Sequence, residues 1–243
     1  MRELTHTFDY NNIDSLYRIF KQYPNQIACV IMEPMNREFP QDGFLFKVQD
    51  LCKKNGALFI LDETITGFRF ANGGASELFG ITPDLATFGK GIANGFPLSA
   101  IAGKADIMKM MERVHFSFTY SGEIYSLFAA WATLNKLKTG VLETIKLAGE
   151  DIQDAFVNRL TGHPSWLHQE FSSMAQKTLY IQEMIKNGVL SIGTLNMQLM
   201  HSPEVVVQIL NALDKTYEVM KIAEGKEAEY LECEPLVEGF KVR

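Results

Sequence analysis

The chain has 243 residues, 47% of them hydrophobic, which is enough for a substantial core and against disorder. Its 23 Lys and Arg against 29 Asp and Glu leave a net charge of −6, which argues against a nucleic-acid binder, since that would need a basic face. Cys29, Cys52 and Cys233 form no C-x-x-C pair, no run approaches a membrane span, and "MRELTHTFDYNN" lacks an apolar signal region. The expectation is a soluble cytoplasmic protein with no membrane partner, in which Cys29 and Cys52 are reduced core residues.

Ile13, Leu16, Tyr17 and Phe20 recur at helical spacing after Asn11 or Asn12 as a cap. The apolar run Ile27 to Met32 reads as a strand ending at Glu33-Pro34. "GFLFKVQDLCKKNG" reads as a helix with Leu45, Val48, Leu51 and Cys52 inward, stopped by Asn55-Gly56. Ala57 to Leu61 is the next strand and ends at Asp62-Glu63; "LATF" follows and ends at Gly89-Lys90, and "SAIAG" is a fourth candidate. Helices are expected at Ala105 to Glu112, Ile124 to Lys138 and about Val141 to Leu160, with Leu127, Trp131 and Leu134 as a core stripe. Beyond Gly162 the pattern is turn-rich, with "VLSI" and "NMQLM" as short strands and a last helix started by Ser202-Pro203. Short apolar strands alternating with helices predict an α/β fold with a mostly parallel sheet. Residues 1–160 form the sheet domain in this reading, and 161–243 a smaller α+β lobe.

Ligands of open α/β sheets bind beyond the carboxyl ends of the strands. Three strands here end in ionisable residues, Glu33, Asp62 and Lys90, which suggests a site. Plainer readings stand beside it: Glu33 could cap a loop, and Asp62 and Lys90 could be an ion pair. A phosphate-binding P-loop is excluded, because Lys90 is followed by Gly91 and not by Ser or Thr. His115, His163, His168 and His201 lack metal-ligand spacing, so no metal is expected. A buried lysine at a strand end, with a carboxylate on the neighbouring strand, suits covalent chemistry on a carbonyl, where a desolvated amine keeps more of its neutral form.

"LDETITGFRF" and "PDLATFGKGIANGFPLSAIAGKADIM" closely resemble the class III aminotransferases, which are fold type I enzymes dependent on pyridoxal 5′-phosphate (PLP). The branch most similar is that of the glutamate-1-semialdehyde aminomutases. "IACVIMEPMN", "FSFTYSGEIYSLFAAWATLNKL" and "NGVLSIGTLNMQLMHSPE" match in order. The resemblance implies a fold type I parallel-sheet half-domain plus a small C-terminal domain. It implies that Lys90 is the Schiff-base lysine and proton shuttle, that Asp62 pairs with the pyridine nitrogen, and that Thr64 covers one ring face. Thr119 matches the threonine that reaches the cofactor phosphate of a neighbouring subunit, and Glu33 falls where substrate could be touched. Arg69 is a carboxylate ligand or, more simply, half of a structural salt bridge.

Only the C-terminal part of the family pattern is matched, and no "SGSEA"-like phosphate loop occurs in the chain. The expected activity is transfer of an amino group between a small-molecule donor and a carbonyl acceptor, of amino acid, amino-aldehyde or keto-sugar type. The expected partner is a second copy or a chain supplying an N-terminal half. The alternatives are a truncated, weakly active homologue and a non-enzymatic interaction module.

Overall fold

The computed structural model describes residues 4–115 and 117–237. Phe116, within one of the matching stretches, lies outside the described residues. The chain packs as two units, Met1–Leu142 and Glu143–Arg243.

In the first unit, Asn12 caps α1 (Ile13–Gln22) by accepting the Ser15 N–H at 3.2 Å. Asn11 takes a left-handed φ of +59° instead and bridges the Phe39 carbonyl and the Gln41 N–H. Strands β1 (Cys29–Met32), β2 (Leu58–Asp62) and β3 (Leu85–Phe88) are parallel neighbours, with α2 (Phe44–Lys54) and α3 (Gly74–Phe79) in the two crossovers. β4 (Ala100–Gly103) pairs antiparallel with β3, so the sheet is mixed. Asp84, just before β3, fastens three strands: its carboxylate accepts the Phe59 N–H at 2.8 Å and Lys104 Nζ at 2.5 Å.

Register fixes which residues share a face. Val30, Phe59 and Leu61 project together into a core with Leu16 and Phe20 of α1 and Leu45, Val48 and Cys52 of α2. The other face carries Cys29 and Ile31, both exposed, and Leu58, Ile60, Asp62, Leu85 and Thr87, all half-buried. Cys29 is therefore not a core residue. Alternation along β1 turns it away from the helices, and an apolar run alone does not say that only one face is covered. Cys52 is in the core, where burial pushes its thiol up to about 12.

After α4 (Ala105–Met108) and a 3₁₀ turn at Lys109–Arg113, α5 (Ile124–Lys136) also departs from expectation. Ser126 and Ala130 face inward, while Leu127, Phe128 and Trp131 are at least half exposed. A stripe at helical spacing marks an apolar face, and this unit leaves that face uncovered.

The second unit begins in α6 (Leu142–Ala155) and continues with β5 (Leu160–His163), β6 (Trp166–Gln169), α7 (Met174–Lys186), β7 (Thr194–Asn196) and α8 (Pro203–Ile222). The division falls before the expected 160/161 boundary because Ile145, Ala148 and Ile152 of α6 pack with Leu179, Met184 and Leu213. Gly149 of α6 lies so close to the Pro164 carbonyl that a Cβ would overlap it. β5 and β6 form a hairpin where turns were expected, and it buries His163 and His168. "VLSI" is not a strand, and "NMQLM" is one only at Asn196, the last residue of β7. α7 runs where no helix was expected. The segment after α8 lies along α7, joined by Gln182 to the Tyr230 carbonyl and the Glu232 N–H, and by Thr178 Oγ1 to the Leu236 N–H.

Candidate active site

Because β1, β2 and β3 are parallel and adjacent, their carboxyl ends lie on one side of the sheet. Glu33 follows β1, Asp62 closes β2, and Lys90 opens a 3₁₀ turn (Lys90–Ile92) just beyond β3. The charges of Asp62 and Lys90 both reach Glu33. Burial raises the Glu33 carboxyl, a hydrogen bond from Asn36 at 2.9 Å eases it, the Asp62 charge raises it further, and Lys90 lowers it.

Asp62 lies on the uncovered face of the sheet, opposite Thr87. Its Oδ1 accepts the Thr64 N–H and the Thr87 hydroxyl, each at 3.0 Å. The Thr64 hydroxyl bears on the same carboxylate. Burial pushes this carboxyl up, but the Thr64 and Thr87 hydrogen bonds and the Lys90 charge outweigh it, and the net effect is a lowered pKa. The carboxylate is thus oriented and kept ionised by its neighbours.

Lys90 is exposed, not buried as its place after an apolar strand suggested. It lies past the last paired residue of β3, where the chain turns out of the sheet. The conformation is also distributed differently from what Gly-Lys-Gly suggests. Gly89 is extended at φ −163°, and it is Lys90 itself that takes a left-handed φ of +42°. Closeness favours glycine at residue 89, where a Cβ would lie 3.3 Å from Thr64 Cγ2; at Gly91 a Cβ would make only ordinary contact, 3.5 Å from the Gly67 carbonyl oxygen. Thr64 therefore stands against the Lys90 turn.

Among the described residues Lys90 makes no ion pair, which removes the simple Asp62–Lys90 bridge. Glu33, Asp62, Thr64 and Lys90 are brought to one end of the sheet. Thr119 is exposed in the turn Thr119–Gly122, and no described contact links it to them. Arg69 lies in the loop after β2; its N–H donates to the Thr66 carbonyl at 3.3 Å, and burial lowers the pKa of its guanidinium.

One residue of this region escaped the sequence reading. Glu63 is fully buried and accepts the Thr66 hydroxyl, the Ala75 N–H at 2.9 Å and the Ser76 N–H at 2.6 Å. Its carboxylate replaces the side-chain cap that α3 lacks at Gly73. A Cβ on Gly74 would lie 2.5 Å from that carboxylate. The available signal was a second acidic residue at a buried strand end, followed by Gly73-Gly74.

Residues 4–212 match the family model of the class-III aminotransferases. The chain is 43% identical over 155 residues to a glutamate-1-semialdehyde 2,1-aminomutase of Alkaliphilus oremlandii, covering 60% of this chain and 37% of that protein. It is 39% identical over 162 residues to the enzyme of the same name from an Anaeromyxobacter species, covering 64% and 38%. Among solved structures, the PLP internal aldimine form of FumI from Sphingopyxis sp. MTA144 matches with a TM-score of 0.84 at 24% identity, over 91% of this chain and 58% of that one. A β-phenylalanine aminotransferase from Variovorax paradoxus matches with a TM-score of 0.78 at 22% identity, over 91% and 57%. The chain thus spans less than two thirds of each of these relatives, and the structural matches establish a fold type I architecture. On the family match, which extends through both units, the chain belongs to the PLP-dependent class-III aminotransferases.

Proposed function

We propose that this chain carries the Lys90–Asp62 part of a PLP site in an aminotransferase or aminomutase. Such an enzyme moves an amino group between a small-molecule donor and a carbonyl acceptor of amino acid, amino-aldehyde or keto-sugar type. The observation that supports this most is the state of Asp62: a carboxylate oriented by Thr64 and Thr87 and held at a lowered pKa, at the end of the sheet where Lys90 emerges. An oriented, ionised acceptor of this kind fits a planar ring with a protonated nitrogen.

When bound, PLP supplies an electron sink for the charge that develops at the substrate carbon. The chain's own residues act around it. Lys90 Nζ would hold the cofactor aldehyde, and the free amine would be the group that moves a proton at the substrate carbon. The Asp62 carboxylate keeps a proton on the ring nitrogen, and its low pKa keeps it charged for that task. The Thr64 methyl would lie against one face of the ring. Glu33 meets substrate at the rim, and Thr119 serves the phosphate in the site of a neighbouring subunit. The uncovered sheet face and the apolar side of α5 support pairing with another chain, either a second copy or one supplying the rest of the family fold.

The test is borohydride reduction after adding PLP, with peptide mapping of the modified lysine. An adduct at Lys90 that disappears in Lys90→Ala is expected. The same total adduct in Lys90→Ala, with none at residue 90 of the wild type, would overturn the assignment.

A further inference from the structure

We infer that Glu63 is the positioning residue for Lys90, holding through the turn Glu63–Gly67 the backbone that presents the amine; this rests on Lys90 being the cofactor lysine. Glu63 is anchored on all sides. Its N–H donates to the Thr87 carbonyl at 2.9 Å, carrying the β2–β3 pairing beyond Asp62. Its carboxylate takes the Thr66 hydroxyl and the first free N–H groups of α3, and its carbonyl accepts the Gly67 N–H at 2.8 Å. No cation is paired with it among the described residues; its charge is met entirely by donors whose places it thereby fixes.

The turn so closed lies against both flanks of Lys90. Thr64 Cγ2 would lie 3.3 Å from a Cβ on Gly89, and the Gly67 carbonyl oxygen 3.5 Å from one on Gly91. Gly67 has no slack on its other side: a Cβ there would lie 2.6 Å from the Glu63 carbonyl oxygen and 2.7 Å from Phe88 Cδ1. The next residue, Phe68, has a φ of +60° and its ring sits 5.3 Å from that of Phe88. Two non-glycine residues in left-handed geometry, Phe68 and Lys90, thus flank this packing of the turn on Phe88. Such conformations persist only where the surroundings over-determine them. The buried Glu63 network supplies that constraint, and releasing it lets the Lys90 turn relax.

The experiment compares wild type, Glu63→Gln and Thr66→Val in the full chain. Each is treated with PLP and borohydride, and adducts at all lysines are quantified. Amide hydrogen exchange is followed at Thr64–Phe68 and Ala75–Ser76. Glu63→Gln keeps the volume but sets an amide N–H against donors. It should speed exchange in both segments and reduce the share of adduct at Lys90 by about tenfold, the scale of one hydrogen bond to a buried charge. Thr66→Val removes one donor, should move both readouts the same way by less, and decides the matter if the Gln protein does not fold. Faster exchange with an unchanged Lys90 share would leave Glu63 as a helix cap only and overturn the inference. A wild type without adduct at Lys90 would overturn the reading beneath it.

Discussion

Asp84 binds the β2 backbone with one oxygen and Lys104 with the other, so protonation loosens three strands together. Burial pushes its carboxyl up, but these bonds outweigh it and lower the pKa from 3.8. A carboxyl lowered by folding stabilises above its unfolded pKa, and that contribution fades as pH falls through the folded value. Asp84→Asn should therefore cost about 1–2 kcal/mol near neutrality. The gap between wild type and variant should narrow as urea unfolding is repeated from pH 6 down to pH 3. A gap that stays constant with pH would refute the assignment. At this scale the sequence showed where strands end: Glu33, Asp62 and Lys90 each fall where an apolar run closes, and the parallel sheet brings those ends together. Glu63 was not legible, because what identifies it is the set of backbone N–H groups of Ala75 and Ser76, which leave no side-chain pattern. The exposure of Lys90 was hidden for a related reason, since the last apolar residue does not say where pairing stops.

Between elements, α6 and the β5–β6 hairpin meet at Gly149 and Pro164. Replacing a mid-helix glycine by alanine ordinarily stabilises a helix by nearly 1 kcal/mol. Here the added methyl meets backbone, which no rotamer can relieve, and the helix must lift from the hairpin. Gly149→Ala is predicted to destabilise the chain by about 1–3 kcal/mol, read as a lower Tm. An unchanged or raised Tm would count against this packing. Elements with one strong period and a local stop were legible: α2 ends at Asn55-Gly56, and α8 starts at Ser202-Pro203. α3 was missed because its cap comes from Glu63, far back in the chain. α7 carried a signal that was passed over: Ser173 accepts the Gln176 N–H while Gln176 accepts the Ser172 N–H, a variant of the capping box. The hairpin was hidden because the tight turn at Pro164-Ser165 leaves its strands only four residues each.

For the molecule as a whole, the uncovered face of the first sheet makes a chemical reporter of Cys29. Cys29 and Cys233 are exposed and Cys52 is buried with a raised pKa. A maleimide should modify two thiols quickly and the third only on unfolding. Pairing through the outer face of β1 should slow Cys29 and spare Cys233. The check is to follow both rates by mass spectrometry as concentration, or a complementary chain, raises the mass in solution. A doubled mass with Cys29 unprotected would place the contact elsewhere, and the apolar side of α5 is the next surface to probe.

The left-handed backbone at Lys90 has a consequence for how this position evolves. A side chain held there costs about 1–2 kcal/mol that glycine avoids. Glycine gives back part of this through the greater freedom of its unfolded state. Random substitution at residue 90 is therefore not steered toward lysine by the fold, and glycine is the residue the backbone itself would select. A lysine on relaxed helix carries little information about its use. A lysine where the main chain disfavours any side chain instead supports the proposed use of its amine.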